Sequence, residues 1–188
     1  MIEYPYDETE LDNWTEDYWG RGKEARDDHY LGPEGYGDPP KPLLQIELEC
    51  AERMGQLPKP RAKTTLVLLV GTSFEPLLQA ICAYQPDRLV PVVSQFYDDR
   101  GDVGEGHLHW KELRSLIGRI PAALVRLPET IPTILQTVAD NPQAVFDYLR
   151  EKLKDDLASP ERRVVIDITG AKKTMVAGAY LLAVYARA

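Results

Sequence analysis

The sequence predicts an α/β fold with a Rossmann-like parallel sheet and helices on both faces, a three-layer arrangement. From residue 64 onward, short apolar runs rich in β-branched residues alternate with helical patterns, as in βαβ units. Residues 65–70 are almost wholly apolar, as expected of a central parallel strand. Two predicted strands also pass directly into a helix through a short polar turn that contains glycine.

The predicted elements follow one another at regular spacing over residues 63–188. Strands are predicted at 65–70, 88–93, 122–127 and 164–168. Helices are predicted at 75–84, 108–120, 130–157 and 172–187. The third of these helices should be split near Asn141 and Pro142. The last helix has almost no polar face, so we expect more chain or a second subunit to cover it.

Residues 1–62 are an acidic, aromatic extension with a short amphipathic helix predicted near 43–55. They contain 15 acids and 7 bases and carry the whole net charge of −8, whereas residues 63–188 contain 15 of each. Residues 1–42 lack apolar periodicity, which predicts a flexible tail that contributes little to the fold. Their aromatic residues instead favour a segment that wraps onto its own domain or onto a partner: Tyr4, Tyr6, Trp14, Tyr18, Trp19, Tyr30 and Tyr36.

Composition argues against several functional classes. An acidic chain without a basic stripe is a poor candidate for binding long DNA or RNA. No apolar run is long enough to cross a bilayer, and the acidic, aromatic first residues predict no signal peptide. Cys50 and Cys82 lack metal or disulfide spacing, so we expect buried thiols in a reducing cytoplasm.

The first turn reads Gly-Thr-Ser-Phe-Glu-Pro from Gly71. Gly71 permits a tight exit from the strand and close approach by a ligand, and Thr72 or Ser73 can cap the next helix. The turn matches neither the dinucleotide fingerprint GxGxxG nor the phosphate loop GxxxxGK[ST]. A capped turn without any ligand is therefore an alternative.

The second turn reads Asp-Ile-Thr-Gly-Ala-Lys-Lys-Thr-Met from Asp167. Free N–H groups at the start of the following helix, Lys172, Lys173 and the hydroxyls of Thr169 and Thr174 would favour an anion there. Two lysines at a helix start oppose the helix dipole, and a bound anion is one explanation. The alternative is that Asp167 caps the turn and that the lysines are solvated.

Together, the two turns resemble those of the CARF domain (CRISPR-associated Rossmann fold). That family has a Gly-Thr/Ser loop after its first strand and an Asp-x-Thr-Gly-Gly-Thr-Lys-x-Met-like motif after its fourth. The matching residues in the second turn are Asp167, Thr169, Gly170, Lys173 and Met175. Ala171 replaces the second glycine and Lys172 replaces the second threonine. The resemblance covers residues 63–188; the family's later strands and its effector domain are missing, as expected of a fold truncated at its C-terminus.

The resemblance implies a cytoplasmic sensor of cyclic oligoadenylate, the messenger of type III CRISPR antiviral defence, that regulates an effector. It implies a homodimer, with the ring lying across the dimer axis on both pairs of turns, and no cofactor. Phosphates would meet the helix N-termini and Lys173, and bases would enter pockets near Ser94, Gln95 and Phe96. The implied binding residues are Gly71, Thr72, Ser73, Ser94, Gln95, Asp167, Thr169, Gly170, Lys172, Lys173, Thr174 and Met175.

Two other functions stay open. Some family members cleave the ring slowly without metal, and a ring nuclease would use Ser73 and Lys173 as catalytic residues. The third hypothesis is a Rossmann-like scaffold whose acidic N-terminus docks a protein partner, with no nucleotide.

Weaker signals occur around residues 98–109. An acidic, histidine-containing loop there is better interpreted as solvated than as a metal site, so none is expected. Arg100 and His107 have the spacing of a HEPN ribonuclease motif. That motif needs a helix, and the glycines at 101, 104 and 106 favour a loop.

Overall fold

A three-stranded parallel sheet forms the centre of the molecule. The computed structural model describes residues 8–32, 41–59, 63–95, 106–132 and 138–186. The strands are β1 (Thr64–Val70), β2 (Arg88–Val93) and β3 (Arg163–Asp167), in the order β2-β1-β3. In the parallel register, Val67 of β1 lies beside Val90 on one side and Ile166 on the other. The predicted α/β class with a parallel sheet is thus confirmed.

Eight helices occur in the described ranges. Those before β2 are α1 (Glu8–Gly20), α2 (Lys23–Leu31), α3 (Leu43–Arg53) and α4 (Glu75–Tyr84). Those after β2 are α5 (Gly106–Arg119), α6 (Pro142–Lys152), α7 (Lys154–Ala158) and α8 (Lys173–Tyr185). The bounds of α4 and β2 are those predicted, β1 differs from prediction by one residue at its start, and β3, α5 and α8 differ by one or two residues at each end.

Strand β1 separates two hydrophobic cores. All seven of its residues are buried. Leu66, Leu68 and Val70 face a core shared with residues of α4 and α5, whereas Val67 and Leu69 face a core shared with residues of α6 and α8. Because successive strand residues point to opposite faces, burial of a residue at every position requires helices on both sides of the sheet.

The strand predicted at 122–127 does not form. Leu124 N–H donates to the carbonyl of Pro121, which makes a turn at the start of the segment. The Gln85 side chain then donates to the Leu124 carbonyl and accepts from the Arg126 N–H, at 2.7 and 2.8 Å. A side chain therefore occupies backbone groups that a strand ladder would use. The apolar pattern reflects packing instead, since Val125 is buried.

Within the described residues, the predicted helix at 130–157 is helical from Pro142 onward, and residues 133–137 lie outside the described ranges. Residues 130–132 are irregular, and Val138 forms an isolated parallel bridge with Ser94. Helix α6 begins after Asn141, whose side chain accepts from Ala144 N–H at 2.8 Å, and Pro142 occupies the first turn. Asn-Pro thus starts this helix rather than splitting a longer one.

The N-terminal helices belong to the core on the α4 side of the sheet. Tyr18, Tyr30 and Leu31 are each at most 4% exposed and join the cluster that contains Leu66 and Leu68. The Tyr18 hydroxyl donates to the Glu75 carboxylate. For residues 8–32, the expectation of a tail that contributes little to the fold is therefore wrong. These residues wrap onto their own domain.

A core substitution in α2 tests this role. Tyr30→Ala should lower the free energy of unfolding by about 3–5 kcal/mol, because it removes a buried ring and leaves a cavity. Urea unfolding of the wild type and the variant measures the difference. Met54→Ala, at a residue that is 54% exposed, should change it by no more than about 0.5 kcal/mol. Equally small effects at both positions would contradict the assignment.

Candidate functional site

The two glycine-containing turns lie side by side at the carboxyl edge of the sheet. From β1 the chain passes through α4 to β2 on one side of β1. The later strand β3 lies on the other side of β1, so the strand order reverses direction between β1 and β3. In open parallel sheets, ligands bind outside the carboxyl ends of the strands at such a reversal. The position of the two turns therefore marks the candidate site.

Backbone contact joins the two turns. A Cβ atom on Gly71 would lie 1.7 Å from the Gly170 carbonyl oxygen and 2.8 Å from its carbon. A Cβ atom on Gly170 would lie 3.3 Å from the Ser73 carbonyl oxygen. Gly71 is therefore required by close approach of the backbone, and the sequence signal at this position has a structural cause independent of any ligand.

The hydroxyl groups of the first turn face solvent. Thr72 and Ser73 are exposed, whereas Phe74 is buried. The predicted side-chain cap is absent, because the N-cap residue of α4 is Phe74, which has a helical backbone. The Glu75 carboxylate accepts from Tyr18 within the first turn of α4. A negative charge thus already lies near this helix N-terminus, where it interacts favourably with the dipole.

The second turn is closed by Asp167. Its Oδ1 atom accepts from Thr169 N–H at 2.8 Å and also from the Thr169 hydroxyl. This geometry matches the alternative in which Asp167 caps the turn. Helix α8 then begins at Lys173, with Lys172 at the N-cap position and no side-chain cap. Asp167 and Thr169 therefore shape the turn.

Asp140 connects several predicted site residues. Its carboxylate accepts from Lys172 Nζ at 3.0 Å and from the Thr174 hydroxyl. Hydrogen bonds from Thr174 foremost, with others from Lys172 and Ser94, hold the pKa of Asp140 below its ordinary value despite partial burial. No sequence pattern singles out Asp140, which lies 32 residues from Lys172. Its position directly before the Asn-Pro helix start was the nearest signal.

Lys172 and Lys173 have different environments. Lys172 is paired with Asp140, so its charge is offset without a ligand. Lys173 is exposed and makes no hydrogen bond or ion pair within the described ranges. One cation, rather than two, is therefore available at the start of α8, beside the first unpaired N–H groups of that helix.

Three further predicted residues differ in their exposure to solvent. Met175 is 1% exposed and packs in the core between α8 and the sheet. Ser94 is 1% exposed and bridges Val138. Gln95 is exposed, and its N–H donates to the Val138 carbonyl at 2.8 Å. Phe96 lies outside the described residues.

Concave surfaces flank the paired turns. A cavity of about 210 Å³ beside Thr72 and Ser73 is walled by α1, α2 and α5. A groove of about 510 Å³ beside Asp167 and Thr169 is walled by α3 and α4. A larger cavity, of about 990 Å³, lies at the opposite edge of the sheet. Two of the three arginines that line it are held by acids: Arg88 by Asp156, and Arg162 by Asp87 and Asp156.

Comparisons with known proteins add no family assignment. The sequence matches no protein-family model and no curated protein. Among the residues with described positions, no three or more His, Cys, Asp or Glu side chains form a possible metal site. The described helices also include none that is long and apolar enough to span a membrane. Most of the acidic loop at 98–109, including Arg100, lies outside the described ranges.

Substituting Gly71 tests the contact between the turns. Gly71→Ala should lower the free energy of unfolding by more than about 2 kcal/mol, because backbone atoms must move to admit the new methyl group. Gly118→Ala is the matched control, since a Cβ there meets nothing within 4 Å. In helix α5 it should be neutral or stabilising by up to about 1 kcal/mol. Thermal and urea unfolding of both variants would decide, and similar stabilities would contradict the contact.

The ion pair of Asp140 has a defined pH dependence. Its folded pKa lies below the ordinary value of about 3.9, so its stabilisation is present above about pH 4 and is lost as pH falls through the folded pKa. At pH 7, Asp140→Asn should cost roughly 1 kcal/mol. The difference from the wild type should shrink below about pH 4. An unfolding difference independent of pH would contradict this role.

Proposed function

We propose that the chain binds a cyclic oligoadenylate at the paired turns and regulates an effector in type III CRISPR antiviral defence. The observation that best supports this binding site is the contact between Gly71 and Gly170, at the point where the strand order reverses direction. It brings exposed hydroxyls from one turn beside an unpaired lysine and free N–H groups from the other. The identity of the ligand rests on the motif resemblance.

The charge arrangement supports a small phosphate-bearing ligand. Lys173 offers one charge at the start of α8, and Thr72 and Ser73 offer hydroxyl donors. A phosphate accepts hydrogen bonds from an ammonium group, from hydroxyls and from the free N–H groups at the helix start, and the charge-assisted bonds are the stronger ones. With Lys172 offset by Asp140, the local charge suits a few phosphates rather than a long nucleic acid.

The burial of two N-terminal tyrosines argues against the alternative of a protein-docking scaffold. Tyr18 and Tyr30 are buried in the chain's own core, so they are not available to dock another protein. The ring-nuclease alternative differs from the sensor only in product formation. Ser73 is exposed beside the paired turns, and a linear adenylate product would assign catalysis to this site.

Titration with cyclic tri-, tetra- and hexa-adenylate tests the proposal. Lys173→Ala should weaken binding of the preferred ring about ten- to a hundredfold, because a charge-assisted hydrogen bond is lost. Lys172→Ala should have a smaller effect, since that lysine is paired with Asp140. Ser73→Ala should weaken binding modestly. Calorimetry at fixed ionic strength, with chromatography of the nucleotide afterwards, gives both affinity and product.

The control for charge loss is Lys63→Ala. Lys63 lies at the amino end of β1, where it pairs with Glu161, so its removal should leave ring affinity unchanged. No binding of any ring by the wild type would contradict the ligand class. Equal affinity of the wild type and Lys173→Ala would contradict the site even if a ring binds.

A further inference from the structure

Strand β3 presents an open edge. Within the described residues it pairs only with β1. Grooves of about 510 and 440 Å³ flank it on its two faces. Soluble proteins usually protect such an edge with proline, lysine, a bulge or a covering segment. Strand β2 has Pro91, whereas β3 reads Arg-Val-Val-Ile-Asp, with charged residues only at its two ends and no proline.

We propose that β3 pairs with β3 of a second copy, antiparallel about Val165, to give a continuous six-stranded sheet. This register is symmetric, as an isologous dimer requires. Each copy then supplies the same five-residue edge, and the backbone N–H and carbonyl groups that face outward find partners.

Charge complementarity selects the occupant and the register. With Val165 opposite itself, Arg163 lies directly opposite the partner's Asp167, and the reciprocal pair forms at the other end. Arg163 stands over the Tyr84 ring at 5.0 Å and makes no ion pair within the described ranges. Both hydrogen bonds that Asp167 accepts go to Oδ1, so neither of them occupies Oδ2, the carboxylate oxygen that the partner's arginine would use. A shift by one residue in either direction would break both charge pairs.

Helix α8 extends the same surface. Its residues Met175, Ala179 and Leu182 belong to the core that also contains Val67 and Leu69 of β1, and the partly buried Val164 and Ile166 of β3 pack against that core. Val176, Tyr180 and Ala183 form a stripe with helical spacing along the groove beside β3. Joining the sheets at β3 would therefore bring the groove-lining stripes of the two α8 helices toward each other across the joined edge.

Exposure on α8 is consistent with this contact. Tyr180 is 69% exposed and Val184 is 51% exposed, although the sequence of this helix is apolar. A second copy would cover Tyr180 from the side of β3.

The pairing also predicts where two ligand sites would lie. Antiparallel β3 strands end at opposite edges of the joined sheet, so the paired turns of the two copies would be far apart. Each copy would then bind its own ligand, in contrast to the shared ring that the resemblance implies. The β3 pairing itself does not depend on the proposed ligand.

Sedimentation of the 188-residue chain tests the association. The wild type should be a dimer at micromolar concentration. Arg163→Glu should raise the dimer dissociation constant about tenfold or more, because two attractive cross-strand pairs become repulsive. The control is Arg114→Glu, the same change at an exposed position of α5, which should leave it unchanged. A monomeric wild type, or equal constants for the wild type and Arg163→Glu, would overturn the proposal.

Disulfide trapping tests the register. Val165→Cys should form a covalent dimer on mild oxidation, because paired residues in antiparallel strands have Cα atoms about 4.5–5.5 Å apart. Arg163→Cys should not, since the two copies of that residue would be about 13 Å apart along the strands. The native Cys50 and Cys82 are buried, which keeps the background low. Trapping at 163 but not at 165 would overturn the register.

Discussion

The burial of β1 is the constraint on which the rest of the structure depends. It is the one strand of the described sheet with neighbours on both sides, and all seven of its residues are buried. Its alternate side chains form parts of two separate cores. Helices must therefore cover both faces, and the N-terminal helices complete one of these covers. The same strand ends at Gly71, so its position also fixes where the two turns meet.

Charge at the carboxyl edge is balanced locally. Asp140 offsets Lys172, and Glu75 lies at the start of α4, where Tyr18 donates to it. These contacts leave Lys173 as the available cation between the two turns within the described ranges. The site thus differs from a basic nucleic-acid surface, because its donors are few and come from hydroxyls, helix N–H groups and one lysine.

Much of the sheet could be predicted because its signals are local. The apolar run of β1, the Pro76 start of α4 and the β-branched run of β3 each specify an element within a few residues. The segment at 122–127 has an equally good strand pattern. It fails because Gln85, about 40 residues earlier, occupies its backbone groups. The burial of Tyr18 and Tyr30 could not be predicted for the same reason, because their partners are distant in the sequence.

In the candidate site, too, the locally encoded features could be predicted and the features that depend on distant residues could not. Both turns could be predicted from their glycines and from their positions after strands. Their contact depends on the β1–β3 pairing, and the role of Asp140 depends on a residue 32 positions away. The lysine pair led to the hypothesis of a bound anion, but one of its two charges has a partner within the protein.

Hydrogen–deuterium exchange with cyclic tri-, tetra- and hexa-adenylate tests most directly whether the paired turns form one ligand site. A bound ring should slow exchange together in peptides that cover residues 71–74 and 169–176, because its phosphates would accept from free N–H groups in both turns. The exchange rates of peptides at the opposite edge of the sheet should be unchanged by the ring. Protection of one turn without the other, or protection confined to another surface, would contradict the account.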